Sequence, residues 1–342
     1  MSGDDRSGGR RVTLHDVAEA AGVSFKTVSR VVNGEPTVAS RTAARVEAAI
    51  AELGFRPDGA ARSLRLRQRM QLVGLIVSDM TNPHVTALAD GVEQTVRARG
   101  HALVMANAGE DSRQERALIA DLVRRGIEGL VIVPSGPDHE HLAGVARRVP
   151  LVLAHRPVDA TDVDVVLPDD YGATYDGIRD LLDRGHRRVA FVGDRAYIHN
   201  IHQRLRAFRA AHQHAGVEVD DRLVVMGSHT AESARGIVSD LLAGPDRPSA
   251  VFASNNLNCL GALMAVAATR AAARADVEVV GFDELLLGEL LDVPLTLLTY
   301  DQRDLGRIAA ELLLDRIDGT SNPPRRVVVP VTARRLSAPR HA

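Results

Sequence analysis

The sequence predicts a small all-α helix-turn-helix head, a short hinge helix, and an α/β body of two doubly wound parallel-sheet subdomains. Three observations predict it. Residues 12 to 33, VTLHDVAEAAGVSFKTVSRVVN, spell two short helices around a Gly-Val turn. Residues 58 to 69 start like a helix but leave room for only about two turns, too short to be stable alone. After Met70, near-continuous apolar runs alternate with amphipathic stretches, the pattern of strands buried on both faces of a parallel sheet.

In the head, Thr13 is placed to cap the first helix, with Asp16 three residues on at its positive end. Val17, Ala18 and Ala21 give the inward stripe, and Gly22 ends the helix where a left-handed residue is wanted. Ser24 caps the second helix, and Val23 with Val28 occupy the positions of a hydrophobic staple. Val28, Val31 and Val32 form its buried arc. Lys26, Ser29, Arg30 and Asn33 fall on the opposite polar arc, with Phe25 at the border. Lys26 is the only lysine of the chain. Ser40 to Leu53 complete the small core as a third amphipathic helix, and the head spans residues 11–57. A basic outer face of this kind fits a DNA major groove, although a plain solvated face is the commoner fate of such residues.

The hinge spans 58–69. Asp58 is its cap, Gly59 weakens it, and Ala60, Ala61 and Leu64 share one face. The alternative is a flexible linker that happens to contain Ala and Leu.

The body spans 70–331. LVGLIV (72–77), ALVMA (102–106), GLVIV (129–133) and LVLA (151–154) are its first strands; RVAFVG (188–193), AVFA (250–253) and VEVVGF (277–282) follow. That number of strands favours two similar subdomains, with the chain crossing between them near 160–170 and 298–306. Residues 1–10 and 332–342 are expected to be tails, the first disordered. No heptad repeat follows Val331, which argues against a C-terminal coiled coil. Polar groups follow several strands: Asp79, Asp194, Ser254-Asn255-Asn256 and Asp283. Carboxyl ends of parallel strands line the ligand crevice of such folds, and these carboxylates and amides suit a hydroxyl-rich small molecule.

Composition bounds the function. Of 342 residues, 45% are apolar, 25% charged and 3% aromatic, with no Trp, so stacking platforms for single-stranded nucleic acid are not expected. One cysteine, Cys259, rules out an internal disulfide framework and suits a reducing cytoplasm. The start, MSGDDRSGGRR, has no apolar export core, and no apolar run reaches the roughly 18 residues of a membrane span. The net charge of −2 hides a head of +4 (residues 1–69) and a remainder of −6, which directs the head toward phosphates. With no lysine in the body, P-loop and Schiff-base chemistry are excluded there. Gly-x-Ser-x-Gly, His-Glu-x-x-His and a Gly-x-Gly-x-x-Gly after a strand are also missing, so no enzyme and no cofactor are expected. His199, His202, His212 and His214 could suggest a metal, but no cysteine or carboxylate frames them, and surface or cleft histidines are expected instead.

VTLHDVAEAAGVSFKTVSRVVN followed by RVEAAIAELGFRPDGAARSL resembles, in order and spacing, the head and hinge of the lactose-repressor (LacI/GalR) family. The resemblance continues through Asp79-Met-Thr-Asn82-Pro83, Pro168-Asp169-Asp170-Tyr-Gly172, Arg187-Arg188-Val189-Ala190-Phe191, Ser254-Asn255-Asn256-Leu257 and Gly281-Phe282-Asp283. It implies a periplasmic-binding-protein-like body and a ligand-responsive transcription regulator, most often a repressor. The expected partners are double-stranded operator DNA, a sugar-like effector and a second copy of the chain, with a tetramer left open; the expected location is the cytoplasm, at the nucleoid. Carried over by position, Phe25, Lys26 and Arg30 read bases in the major groove, and Ser24, Thr27, Ser29 and Asn33 hold the backbone. Ala61, Arg62 and Leu64 enter the minor groove, with Leu64 as a wedge. Asp79, Asn82, His84, Asp169, Asp170, His202, Arg204, Asn255, Asn256, Asp283 and Tyr300 are the implied effector positions. Four of these depart from the family pattern: His84 replaces an aromatic, His202 an arginine (with Arg204 close by), Asn256 an aspartate and Tyr300 a glutamine. Ala39 stands where relatives carry a capping Ser, and Ser40 is expected to cap one residue later. A transporter's solute-binding protein, which shares the body, is the alternative reading.

Overall fold

The computed structural model describes residues 12–32, 38–55, 71–159, 161–273, 277–285 and 293–336. Asn33, the hinge (58–69, with Ala61, Arg62 and Leu64) and the tail 1–10 therefore lie outside the described residues. The chain divides into two compact units, residues 1–70 and 71–342.

The first unit holds α1 (Leu14–Ala21), α2 (Phe25–Val32) and α3 (Ser40–Leu53). Its turns follow from local chemistry. Thr13 and Asp16 form a reciprocal capping box at the start of α1, and Gly22 closes that helix in the left-handed region at φ 59°. Arg45, from α3, donates to the Ala21 carbonyl at 2.6 Å and so satisfies one of the acceptors left over at the end of α1. Val17, Ala18, Ala21, Val28, Val46 and Ala49 make the core. One local expectation fails: α3 begins at Ser40 with Ala39 in the cap position and no side-chain cap bond. Ser40 already has helical geometry, so its hydroxyl does not take over the capping role.

The body is two six-stranded sheets. The first runs β11-β5-β4-β3-β1-β2, from β1 (Gln71–Val77), β2 (His101–Asn107), β3 (Gly129–Ile132), β4 (Leu151–Ala154), β5 (Asp164–Pro168) and β11 (Arg326–Val329). Its ladders are all parallel. The second runs β12-β10-β9-β8-β6-β7, from β6 (Val189–Val192), β7 (Val224–Val225), β8 (Ala250–Ala253), β9 (Glu278–Phe282), β10 (Leu295–Thr299) and β12 (Thr332–Leu336). It is parallel except for β12, which runs antiparallel to β10. Alternate residues of each strand feed the cores on opposite faces: Val73, Leu75 and Val77 of β1 on one side, Ile76 on the other. In the second half, Val251 and Ala253 face away from Ala250 and Phe252.

Helices cover both faces: α4 (Pro83–Ala98), α5 (Ser112–Arg124), α6 (Glu140–Ala146) and α11 (Gln302–Ile317) on the first half; α7 (Asp170–Asp183), α8 (His199–Ala215), α9 (Ala231–Ala243) and α10 (Asn256–Ala273) on the second. The chain passes between the halves after β5, after β10, and again between β11 and β12. That third crossing corrects the reading of 332–342 as a tail. Thr332–Leu336 is an edge strand of the second sheet, and its exposed side chains gave it the look of solvent-facing chain. Cys259 is buried against Gly281, and burial pushes its thiol up to about 12, so it is an inert packing residue. Among the described residues no helix is long and apolar enough to cross a membrane.

Helices α4 and α11 touch through glycine. A Cβ on Gly306 would lie 2.2 Å from the Leu88 carbonyl oxygen, a backbone atom that no rotamer change can move aside. Gly306→Ala should cost about 1–3 kcal/mol in urea unfolding, because the helices must part. An unchanged midpoint would mean that the pair has slack the geometry does not show.

Candidate functional site

Two surfaces stand out, one in each unit. On the head, Phe25 is 44% exposed and stacks on His15 at 4.7 Å between ring centres. Lys26 is exposed, and Ser29 and Arg30 are half-buried beside it. Ser24 Oγ accepts the Thr27 N–H at 3.1 Å, which fixes the start of α2. Because Val28 is fully buried, its neighbours on the opposite arc are turned outward.

In the body, a cavity of about 300 Å³ opens where the carboxyl ends of the two sheets meet. Asp79 follows β1, Glu110 follows β2, and His155 and Arg156 follow β4; Asp194 follows β6, Asn255 follows β8 and Asp283 follows β9. Asn82 and His84 enter from the first turn of α4, and Tyr300 and Gln302 from the start of α11. Asn82 caps α4 by accepting the His84 N–H at 3.2 Å. Glu110, His155 and Asp283, the three non-glycine residues with left-handed backbone among those described, all line this cavity, at φ 58°, 64° and 79°. Such conformations cost about 1–3 kcal/mol each and concentrate where side chains must be aimed at a ligand.

The wall is tightly paired. Arg156 clasps Glu110 through two bonds of 2.7 and 3.0 Å and also donates to the Pro134 carbonyl. Burial pushes the Glu110 carboxyl up, but the bonds and charge of Arg156, with the Gly136 N–H and Ser78, outweigh it and hold the pKa low. Burial likewise raises Asp194, against the pull of Arg195. Burial drives His155 down to about 3, with Asp283 opposing and the charges of His84, Arg156 and Arg204 adding to the fall. The halves touch directly: Asn256 Nδ2 donates to Asn82 Oδ1 at 3.0 Å, and His84 Nε2 lies 3.7 Å from Asp283 Oδ2.

The implied effector positions divide. Asp79, Asn82, His84, Asn255, Asp283 and Tyr300 line the cavity, whereas Asp169, Asp170, His202, Arg204 and Asn256 do not. Asp169 is spent capping α7, accepting the Gly172 N–H at 2.8 Å. Asp170 and Arg204 form a buried pair behind the wall: Arg204 Nε donates to Asp170 Oδ1 at 2.8 Å, and Nη2 lies 2.6 Å from the same oxygen. The Arg204 guanidinium also donates to the Ser254 carbonyl and lies 3.4 Å above the Phe282 ring. Burial works against its charge, yet Asp170, Asp283 and Tyr300 raise its pKa. His202 is exposed on α8, and Asn256 is buried in its bond to Asn82. His212, expected at the surface or in the cleft, is core: it is buried, bonds the Phe208 carbonyl at 2.9 Å and packs on that ring. Glu110, His155, Arg156, Arg195 and Gln302 line the cavity without having been singled out from sequence, although Glu110, His155 and Arg156 closely follow recognised strands.

Residues 13–58 match the family described as "Bacterial regulatory proteins, lacI family". Residues 70–337 match "Periplasmic binding proteins and sugar binding domain of LacI family". The chain belongs to the LacI family. Among its LacI-family relatives, the ribose operon repressor of Escherichia coli (strain K12) is 31% identical over 336 residues, covering 95% of this chain and 99% of that one. The HTH-type transcriptional regulator PtxS of Pseudomonas aeruginosa is 33% identical, covering 94% and 93%. Two solved structures are similar over 96% of the chain. The transcriptional regulator CelR–cellobiose complex has a TM-score of 0.70, 31% identity and 100% of its own chain covered. The Lac repressor dimer bound to operator and an anti-inducer has 0.75, 25% and 99%. As a LacI-family protein the chain is a DNA-binding transcription regulator with an effector-responsive body, and the relatives named here are regulators, not enzymes.

The Asp170–Arg204 pair should dominate local stability. Asp170→Asn leaves a buried guanidinium half-paired and should cost about 3–5 kcal/mol in chemical unfolding; a loss under about 1 kcal/mol would show Arg204 satisfied elsewhere. His155 gives a pH signature. Its folded pKa of about 3 lies below the ordinary 6.5, so its contribution is complete above 6.5 and drains as pH falls from there toward 3. The melting temperature should therefore drop on acidification from about pH 7 to about pH 5, and less steeply in His155→Gln.

Proposed function

We propose that the protein is a repressor that binds a near-palindromic operator as a homodimer, and that a sugar or sugar derivative in the body cleft controls that binding. Phe25, Lys26 and Arg30 read base edges: the cations suit guanine O6 and N7, and the aromatic edge suits a thymine methyl. Ser24, Thr27, Ser29 and Asn33 hold phosphates and so set register. Paired hinge segments enter the minor groove, with Ala61 at the close approach, Arg62 on the backbone and Leu64 as the wedge between base pairs. The protein acts in the cytoplasm, on the nucleoid, and catalyses nothing.

The observation that carries this reading is the cleft wall: both halves contribute strand-end groups to it, and side chains of the two halves already touch across the gap. A ligand bound there contacts both halves at once and so favours one angle between them. That angle controls the spacing of whatever is attached to the first half, and with it the folding of a segment too short to fold alone. A coupling of about 1–3 kcal/mol is ordinary for such a switch. The relatives agree with a sugar: one solved structure holds cellobiose, and another relative is the repressor of a ribose operon.

The test is gel shift with DNA from around the protein's own gene. A salt-sensitive, sequence-selective band is expected; its absence, in a monomeric protein, would favour the solute-binding alternative. Lys26→Ala should relax discrimination at one or two base pairs by about 1–3 kcal/mol, whereas a uniform loss over all sequences would make it a phosphate contact. Leu64→Ala should weaken specific binding and spare non-specific binding; equal losses would remove the wedge role.

A further inference from the structure

The cleft's charge and hydrogen-bond inventory narrows the effector, given the reading of this cavity as the effector site. Asp79, Glu110, Asp194 and Asp283 line it together with Arg156 and Arg195. Arg156 is fully engaged, by its bidentate bond to Glu110 and its bond to the Pro134 carbonyl, whereas Arg195 is balanced by Asp194 only at 3.9 Å, beyond hydrogen-bond reach. Arg204, behind the wall, is held by Asp170. Asp79 and Asp283 have no arginine partner among the described residues; Asp79 Oδ1 accepts from Thr81, and Asp283 faces His84. Gln302 is more than nine-tenths buried on the wall, and its Oε1 has no hydrogen-bond partner. The donor of Asn255 is likewise used, on Asp194. Carboxylates outnumber guanidiniums on the wall, and Gln302 adds an unpartnered acceptor, so the wall favours a ligand that brings donors.

We propose that the cleft selects an uncharged, hydroxyl-rich effector, a free sugar or polyol, and rejects sugar phosphates and sugar acids, with Asp79, Asp283 and Gln302 as the discriminating acceptors. Each sugar hydroxyl can donate to a carboxylate, a charge-assisted bond stronger than a neutral one. A phosphate or carboxylate brings acceptors only. To bind, it must sit beside Asp283 against like charge or draw Arg156 away from Glu110, leaving a carboxylate unpaired at low dielectric. His155 cannot substitute as a cation, since its imidazole is held neutral. The best refuge for an anion is the first turn of α8, which no side chain caps and whose Asn200 and Ile201 line the cavity; an anion there still shares the cavity with the carboxylates of Asp79, Asp194 and Asp283, which a neutral hydroxyl does not oppose.

The test is calorimetric titration of the full-length protein with D-ribose, D-glucose and cellobiose, each against its monophosphate and its aldonic acid. Whichever neutral sugar binds, its anionic derivatives should bind about tenfold or more weakly. Asp283→Asn, which keeps a residue tolerant of left-handed backbone, should shrink that ratio. An acid or phosphate that binds as tightly as its parent sugar overturns the proposal, as does a ratio unmoved in a folded Asp283→Asn protein. The wild-type ratio stands by itself if the variant does not fold. A panel in which nothing binds overturns the sugar-effector reading underneath, and so the two failures are told apart.

Discussion

Parallel pairing is the constraint on which the body depends. In a parallel sheet all carboxyl ends emerge along one edge, and here two such edges face each other because the chain passes three times between the sheets. The strands at the crossings are neighbours: β5 pairs with β11, and β10 pairs with β12. Three connectors side by side at one edge resist twist and shear better than a single one. They leave opening and closing about that edge as the soft motion, which is the motion a ligand held between strand ends can bias.

The floor of the cleft is held by a charge pair that its burial makes expensive. Arg204 comes from α8, Asp170 from the first turn of α7, the Ser254 carbonyl from the end of β8 and the Phe282 ring from β9. One guanidinium thus ties the elements that aim Asn255 and Asp283 into the cavity. Desolvation makes such a pair a weak source of net stability but a strong penalty for any arrangement that separates its members. It fixes where the strand ends sit. Left-handed Asp283, next to Phe282, then stores strain at a strand end that the pair keeps from relaxing.

The head was legible because its signals are local. The Thr13–Asp16 box, Gly22 and the Val28 arc depend only on residues within a turn or two, and Ser40–Leu53 is the helix its periodicity predicts. The central strands were legible because they are apolar throughout. Val224–Val225 is too short to give a pattern, and Arg326–Val329 and Thr332–Leu336 lie at sheet edges with most side chains in water. Their membership in a sheet is decided by partners far away in sequence. The same holds for the site. Strand-end aspartates are readable, but nothing local tells that Arg204, of a type normally exposed, will be buried by α7 meeting α8. Nor does the sequence around His155 announce a left-handed backbone.

A consequence for control follows from how much of the wall is already paired. Arg156 with Glu110, Asn255 with Asp194, and Asn82 with Asn256 are bonds a ligand must keep, share or replace. The ligand's grip is then only the surplus over these contacts, and its leverage on the angle between the halves is the part of that surplus that differs between open and closed forms. Tight binding that left Asn82–Asn256 and His84–Asp283 unaltered would shift nothing, since equal affinity for two states moves neither. An effector of this protein must therefore act through the residues that meet across the gap, and its chemistry is bounded by what those residues can exchange their present partners for.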